Sequence, residues 1–345
     1  MTYSVRQIHT GGEWDDFLLK QPFSLFIQSW KNGEFHRALG ENFWVFGVYA
    51  DGGELVAGSL VISVHAKRGN FLFLPYGPII SGHKEKKIIF KVFFQALEQF
   101  AKKEHYDFIR VSPFFERHDS MLSLFQIFGF HPAPMHILAE HTWILDISPP
   151  PEILFSQMKK NHRNLIHRCE KEGVRVEETQ ASAALERLND MTDVIEKRHK
   201  FHRFSRQFID TEFFTFATDN EAVIFEARLP DGRVDSSAIV LFFGNMACYR
   251  HSASLQQDKR LPTPYLVQWH VIQEAQRRGM AWYNFWGIAP SGASARHPFF
   301  GITHFKKGFG GEQKDLIPCQ DLPLSPRYWL NWVIETCRKK KRGFS

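Results

Sequence analysis

Residues 43–64 read FWVFGVYADGGELVAGSLVISV, and this stretch decides the fold. Aromatic and β-branched residues fill Phe43 to Ala50 and Leu55 to Val64. Asp51-Gly52-Gly53 between them is a hairpin signal, because glycine accepts the positive φ that a tight reversal demands. After a Lys67-Arg68-Gly69-Asn70 turn, a third strand is expected over Phe71 to Leu74, ended by Tyr76-Gly77-Pro78. From Lys84 to Lys103, Ile88, Ile89, Val92, Phe93, Ala96, Leu97 and Phe100 recur at helical spacing, with lysines and glutamates on the other face. A short strand, Phe108 to Val111, closes the unit at Ser112-Pro113.

The same order is written again further on. Strand Ala222 to Leu229, turn Asp231-Gly232, strand Ser236 to Phe243 and a Gly244-Asn245 turn lead into Cys248 to His251. Leu266 to Arg278 carries Leu266, Trp269, Val271, Ile272 and Ala275 as a helix face, and strand Trp282 to Trp286 ends at Gly287-Ile288-Ala289-Pro290. The interval from the Asp-Gly turn to the closing proline is nearly the same in both halves, so duplication is the simplest explanation. Pro149-Pro150-Pro151 cannot continue a helix or a central strand and marks the expected junction, near residue 148. An antiparallel hairpin sheet followed by a helix and another strand resembles acyltransferases of the GNAT type. The expected class is therefore α/β (α+β) with two tandem GNAT-like domains, although order alone also fits other α+β folds.

Composition narrows the function classes. The 345 residues suffice for two domains of roughly 150 residues each, and 43% hydrophobic residues supply a core for both. A formal charge of +6 and a pI near 9.0 lean toward a polyanionic partner such as nucleic acid, nucleotide or an anionic membrane surface. Met1 to Asp16 has no basic segment followed by an apolar run, and no stretch approaches the roughly 18 apolar residues that span a bilayer. The expectation is a soluble, cytoplasmic protein. Cys169, Cys248, Cys319 and Cys337 lie far apart without a CxxC pair, which disfavours a zinc knuckle and a disulfide framework alike. His131, His136 and His141 are spaced by five, and His199 with His202 has no third ligand nearby, so no metal is expected.

Several strings, in this order, resemble the FemA/FemB/FemX family of aminoacyl-tRNA-dependent peptidyltransferases. They are Phe26-Ile27-Gln28-Ser29-Trp30, Tyr76-Gly77-Pro78, Lys160-Asn161-His162-Arg163-Asn164-Leu165-Ile166-His167-Arg168 with Lys171-Glu172-Gly173-Val174, Tyr283-Asn284-Phe285-Trp286-Gly287-Ile288, and Phe305-Lys306-Lys307-Gly308-Phe309-Gly310-Gly311. The resemblance implies an aminoacyl-tRNA donor, no cofactor, and an amine on the stem peptide of a lipid-linked or UDP-linked peptidoglycan precursor as acceptor. The product is then a cross-bridge amino acid. Family members often carry a coiled-coil insertion in the second domain, and no charged heptad array of that kind occurs here, so the compact, monomeric form is expected. The first domain covers 1–147, rejoined by 317–345, and the second covers 148–316, with the site in the second domain and the cleft between domains. Three positions depart from the family's pattern: Ser112 and Asn284 stand where aspartates are frequent, and Glu34 falls near an expected substrate-binding lysine, for which Lys31 is the nearest alternative.

Transfer from an aminoacyl ester to an amine needs a neutral amine, a stabilised oxyanion and a departing hydroxyl. A lysine fixed beside a packed phenylalanine suits the last two tasks, so Lys306 with Phe305 is the catalytic candidate, against the plain reading of Lys306-Lys307 as a solvated pair. The helix from Lys159 to Lys171 sets Lys159, Arg163 and His167 on one stripe and Lys160, Asn164 and Arg168 on the next. Arg163 and Arg168 are the phosphate candidates, because a guanidinium holds phosphate bidentately. Lys197 to Arg206 interleaves Arg198, Arg203 and Arg206 with Phe201 and Phe204, a pattern that suits phosphates and a base together. By the resemblance Arg203 is the acceptor-phosphate arginine, with Arg206 the alternative. Trp30, Tyr76 and Tyr249 are candidate cleft walls; core packing explains either tyrosine equally well.

Neither Lys84 nor Leu266 is preceded by the Gln/Arg-x-x-Gly-x-Gly/Ala loop of a coenzyme A site. That argues against acetyl-CoA as donor. The tail from Ser325 to Arg342 begins with an N-cap and Pro326 and ends in a basic cluster. Its tryptophans suit peripheral contact with the inner membrane surface, or RNA, as well as a plain docked helix. Two other readings stay open: an N-acyltransferase using another activated donor on a cell-envelope amine, and a catalytically silent RNA-binding or membrane-peripheral protein.

Overall fold

The computed structural model describes residues 2–66, 69–82, 85–199 and 203–342, with 199 and 340–342 described by backbone alone. Lys67 and Arg68 of the expected turn, Lys84 at the expected helix start, and Lys200, Phe201 and His202 of the basic loop lie outside the described residues. The chain divides into two compact units, Met1–His141 with Asp315–Ser345, and Thr142–Lys314.

The division falls before the triproline, at 141/142 instead of 147/148. The reason is pairing: strand His141–Asp146 hydrogen-bonds to Trp282–Gly287 in the second sheet. Pro151 instead opens a helix, Pro151–Gln157, at a position where its missing N–H has no intrahelical partner to lose. The return point likewise shifts from 316/317 to 314/315, where Leu316 N donates to Glu140 O.

In the first unit the sheet order is Tyr3–Ile8, Phe43–Ala50, Leu55–Ala66, Gly69–Tyr76, Phe108–Pro113, Gln320–Pro323 and His131–Pro132. The hairpin of residues 43–64 sits inside this sheet, with Phe43 opposite Ile62 and Val48 opposite Ala57. Gly69–Tyr76 runs parallel to Phe108–Pro113, and the connection is the helix Lys86–Lys103. Ile89, Phe90, Phe93, Phe94 and Leu97 of that helix are buried with Val48, Leu72, Leu74 and Ile109 of the sheet. Each such side chain contributes about 1.5–3 kcal/mol on leaving water.

The second unit repeats the plan: Glu312–Asp315, His141–Asp146, Trp282–Gly287, Met246–Ser254, Val234–Phe243, Ala222–Arg228 and Arg175–Thr179. Period-two alternation puts Val223, Phe225 and Ala227 on one face opposite Val240, Ala238 and Ser236. The helix Thr263–Arg277 covers that face with Leu266, Val267, Val271, Ile272 and Ala275.

Two of the sequence strings prove to be one device in the first unit. Gln28 is fully buried; its Nε2 donates to Pro75 O, and its Oε1 accepts from Leu60 N at 2.9 Å. A Cβ on Gly77 would stand 2.0 Å from Ser59 Oγ, so only glycine lets Tyr76-Gly77-Pro78 approach that strand.

The returning segment is held by buried charge. Arg110 forks onto Asp321, with Nε to Oδ1 and Nη2 to Oδ2 both at 2.8 Å, and Nη2 also donates to Glu335 Oε2 at 2.8 Å. Asp321 accepts from Tyr328 Oη as well, at 3.2 Å. Removing the cation would leave Asp321 buried and unpaired, so Arg110→Met should lower the unfolding free energy by about 3–5 kcal/mol. Urea unfolding checks this, and Glu335→Gln, at the better-solvated end, should cost far less.

Candidate active site

The parallel strands Met246–Ser254 and Trp282–Gly287 pair only through Met246–Trp282, Ala247–Tyr283 and Cys248–Asn284. Beyond Cys248 the strands part. In the first unit the corresponding strands stay paired through six positions, to Tyr76 and Pro113. Tyr249, the first residue past the last pair of the second unit, lines a cavity of about 710 Å³. Ser236, Ser237, Ser252, Tyr265 and Phe305 line it too, with Asp258 and Lys259 on the loop before the helix.

That loop is braced from below. Buried Asp235 accepts from Thr263 Oγ1 at 2.6 Å and from Gln257 N at 2.7 Å. Thr263 N is spent on Leu261 O and Tyr265 N on Pro262 O, while Pro264 has no N–H. A helix start that cradles a pyrophosphate needs those donors free.

Helix Phe300–Lys307 carries both residues of the catalytic candidate, Phe305 and Lys306. Lys306 is 4% exposed, and its Nζ donates to Gly287 O at 2.7 Å, at the end of the diverging strand. Burial pushes its pKa from 10.5 down to about 7. It is no solvated lysine. Phe305, one residue earlier, packs on Tyr265 and Phe309 with ring centres 4.9 and 5.3 Å apart.

The helix is locked from beneath by His162, a residue of the string over 160–168 that was not among the site candidates. His162 is buried, and its Nε2 meets Phe305 O at 2.9 Å; a carbonyl only accepts, so Nε2 carries the proton. Burial lowers the pKa of the ring. Nδ1 has no hydrogen-bond partner among the described residues. A Cβ on Gly308 would stand 1.9 Å from the imidazole, and Lys159 N donates to Gly308 O at 2.9 Å. The signal for His162 was present: it shares the apolar stripe of Ile166 and Cys169.

The other candidates separate. Arg163 turns back onto the carbonyls of Ser156 and Met158, closing the end of the preceding helix. Arg168 is exposed and borders a smaller hollow of about 250 Å³ with Arg260. Arg203 is engaged by Asn189 and by Asp193, the latter at 2.5 Å, and Arg206 by Asp190 and Asp193. Those carboxylates neutralise the two cations. Arg250, which was not singled out, forks onto buried Glu212 at 2.8–3.0 Å, and His251 Nε2 lies 2.7 Å from the same carboxylate. Burial opposes the Glu212 charge, but Arg250 and His251 outweigh it and hold the pKa down to about 2.

Tyr249 lines the cavity; Tyr76 instead is buried in the first unit and donates to Ala139 O at 2.9 Å. Trp30 packs edge-on to Phe43 and donates to Glu34, and Lys31 is half-buried beside it on the helix Trp30–Ala38. Asn284 Oδ1 accepts from Thr142 Oγ1 at 2.7 Å and Trp286 N at 2.8 Å, bracing the strand end. Ser112 Oγ faces Cys319 Sγ at 3.4 Å. Among the described residues no three His, Cys, Asp or Glu side chains gather as a metal site requires, and no helix is long and apolar enough to cross a membrane.

Residues 9–127 and 230–336 match the FemAB family. The chain belongs to the FemAB family. A crystal structure of FemX superposes with a TM-score of 0.83 at 16% identity, covering 96% of this chain and 100% of that one. A tandem GNAT protein from the clavulanic acid biosynthesis pathway follows at TM-score 0.54 and 12% identity, covering 94% and 99%. The C-terminal domain of a putative lysylphosphatidylglycerol synthetase from Agrobacterium fabrum gives 0.55 at 11%, covering 94% and 95%. At these identities the likeness is one of fold: two GNAT-like domains in tandem. In this FemAB protein the second domain carries the parted strands.

Two outcomes follow. Gly308→Ala should lower the melting temperature by several degrees, and His162→Ala in the same chain should recover most of that loss, since the two atoms compete for one space. Lys306→Met should stabilise the fold by on the order of a few kcal/mol at pH 6. The folded protein releases the Lys306 proton before the unfolded chain does, so wild-type stability rises between about 7 and 10.5 and the advantage of methionine shrinks there. Unfolding curves across pH measure both.

Proposed function

We propose that the protein is an aminoacyltransferase that moves an amino acid from aminoacyl-tRNA to an amine of a peptidoglycan precursor stem peptide, building a cross-bridge. The observation that carries this reading is Lys306, buried and bonded to Gly287 O where the strands of the second domain part. Membership of the FemAB family supports the substrate class.

In the reaction the acceptor amine attacks the ester carbonyl, and the electron pair displaced onto oxygen forms a tetrahedral oxyanion. Collapse forms the amide and breaks the bond to the ribose oxygen; the attacking nitrogen gives up one proton and the departing ribose oxygen takes one up, so the transfer is proton-neutral overall. An ammonium in a dry setting stabilises charge that water would otherwise screen. With a pKa near 7, Lys306 also gives up a proton readily to the departing hydroxyl. Phe305 and Tyr249 line the cavity, and Ser237 Oγ, buried there, has no hydrogen-bond partner among the described residues. The spent amides at the helix start, residues 263–265, favour a donor that does not place a pyrophosphate there, which weakens the coenzyme A alternative.

Purified protein incubated with charged tRNA and precursor should form the extended stem peptide, and nuclease treatment of the tRNA should abolish it. Product surviving nuclease would contradict the donor. Lys306→Ala should reduce kcat by about 10²–10³-fold. The wild-type rate should fall as pH climbs above about 7, where Lys306 loses its proton, and in Lys306→Arg that limb should move well above it. An unchanged limb in the arginine variant would remove Lys306 from the chemistry.

A further inference from the structure

The helix Arg327–Arg342 is mounted with its polarity reversed. Tyr328, Asn331 and Glu335, spaced i, i+3, i+7, turn inward: Tyr328 Oη donates to Asp321, Glu335 meets Arg110, and Asn331 Nδ2 donates to Glu335 Oε1 at 3.3 Å. The opposite stripe carries Leu330 at 62% and Val333 at 53% exposure, with Trp329 beside them at 48%. A helix on a surface bathed only in water presents the reverse arrangement. The buried Arg110–Asp321 pair fixes this orientation, so the apolar stripe cannot roll inward without breaking it. Past the stripe the last turns of the helix carry Arg338 and Lys339, both exposed, and the sequence continues Lys340-Lys341-Arg342.

From this juxtaposition we infer that the C-terminal helix seats the protein on an anionic lipid bilayer surface, with Leu330, Val333 and Trp329 in the headgroup boundary and the basic end against lipid phosphates. Leucine and valine gain by leaving water, and tryptophan prefers the boundary between apolar and wet regions. The cations supply the attraction to negative headgroups. RNA fits less well, because aliphatic side chains offer no face on which bases stack. This surface is separate from the chemistry at Lys306 and stands or falls on its own.

The test is co-sedimentation of the full chain with phosphatidylcholine vesicles and with vesicles containing about one-third phosphatidylglycerol. The wild-type protein should pellet with the second and remain in solution with the first, and high salt should release it. Leu330→Ser with Val333→Ser, and separately Arg338→Glu with Lys339→Glu, should each weaken binding by about tenfold or more without lowering the melting temperature. The inference is overturned if the wild-type protein ignores anionic vesicles, or if both double variants pellet as it does. It is also overturned if light scattering finds a dimer that the serine variant dissociates, or if the basic residues retain tRNA on a filter while vesicles are not bound.

Discussion

One hydrogen bond organises the second domain: Lys306 Nζ to Gly287 O, 2.7 Å long and shut off from water. A lysine in such a place is held against a strong pull toward solvent. What holds it is the bed on which its helix lies: His162 under Phe305 and Gly308, Lys159 N on the Gly308 carbonyl, and Tyr265, Phe305 and Phe309 packed ring against ring. Burial then lowers the pKa, and the same burial weakens the fold at neutral pH, where the lysine is still charged in the unfolded chain.

The duplication shows how one plan gives two outcomes. In the first domain the two parallel strands stay paired to their ends, Tyr76 is buried, and Gln28 with Ser59 fills the space around the following turn. In the second domain the strands part after three pairs; Tyr249 and Phe305 line a cavity and Lys306 bonds the end of one strand. The two copies differ where the parallel strand pair stays closed in one and opens in the other.

Much of the framework was legible in the chain. The hairpins, both crossover helices and the closing strands follow from periodicity and glycine turns, which are local properties. The triproline misled because proline stops a helix but also starts one, and the pairing that sets the boundary joins residues 142–146 to residues 282–287, far apart in sequence. The resemblance pointed to Lys306 but not to its burial, which rests on Gly287, Tyr265 and His162, brought to it only by the tertiary fold. Arg203 and Arg206 read as free cations because the carboxylates that occupy them, Asp190 and Asp193, sit on a preceding helix and enter only through the tertiary fold.

The central claim is that the fold makes Lys306 an abnormal lysine. Isotope labelling of the lysine side chains, with Lys306→Arg to assign the resonance, lets magnetic resonance follow its titration in the intact protein. A midpoint near 7 is the expected result. A midpoint near the ordinary 10.5 would mean that water reaches Nζ, and the account of the site would fall with it.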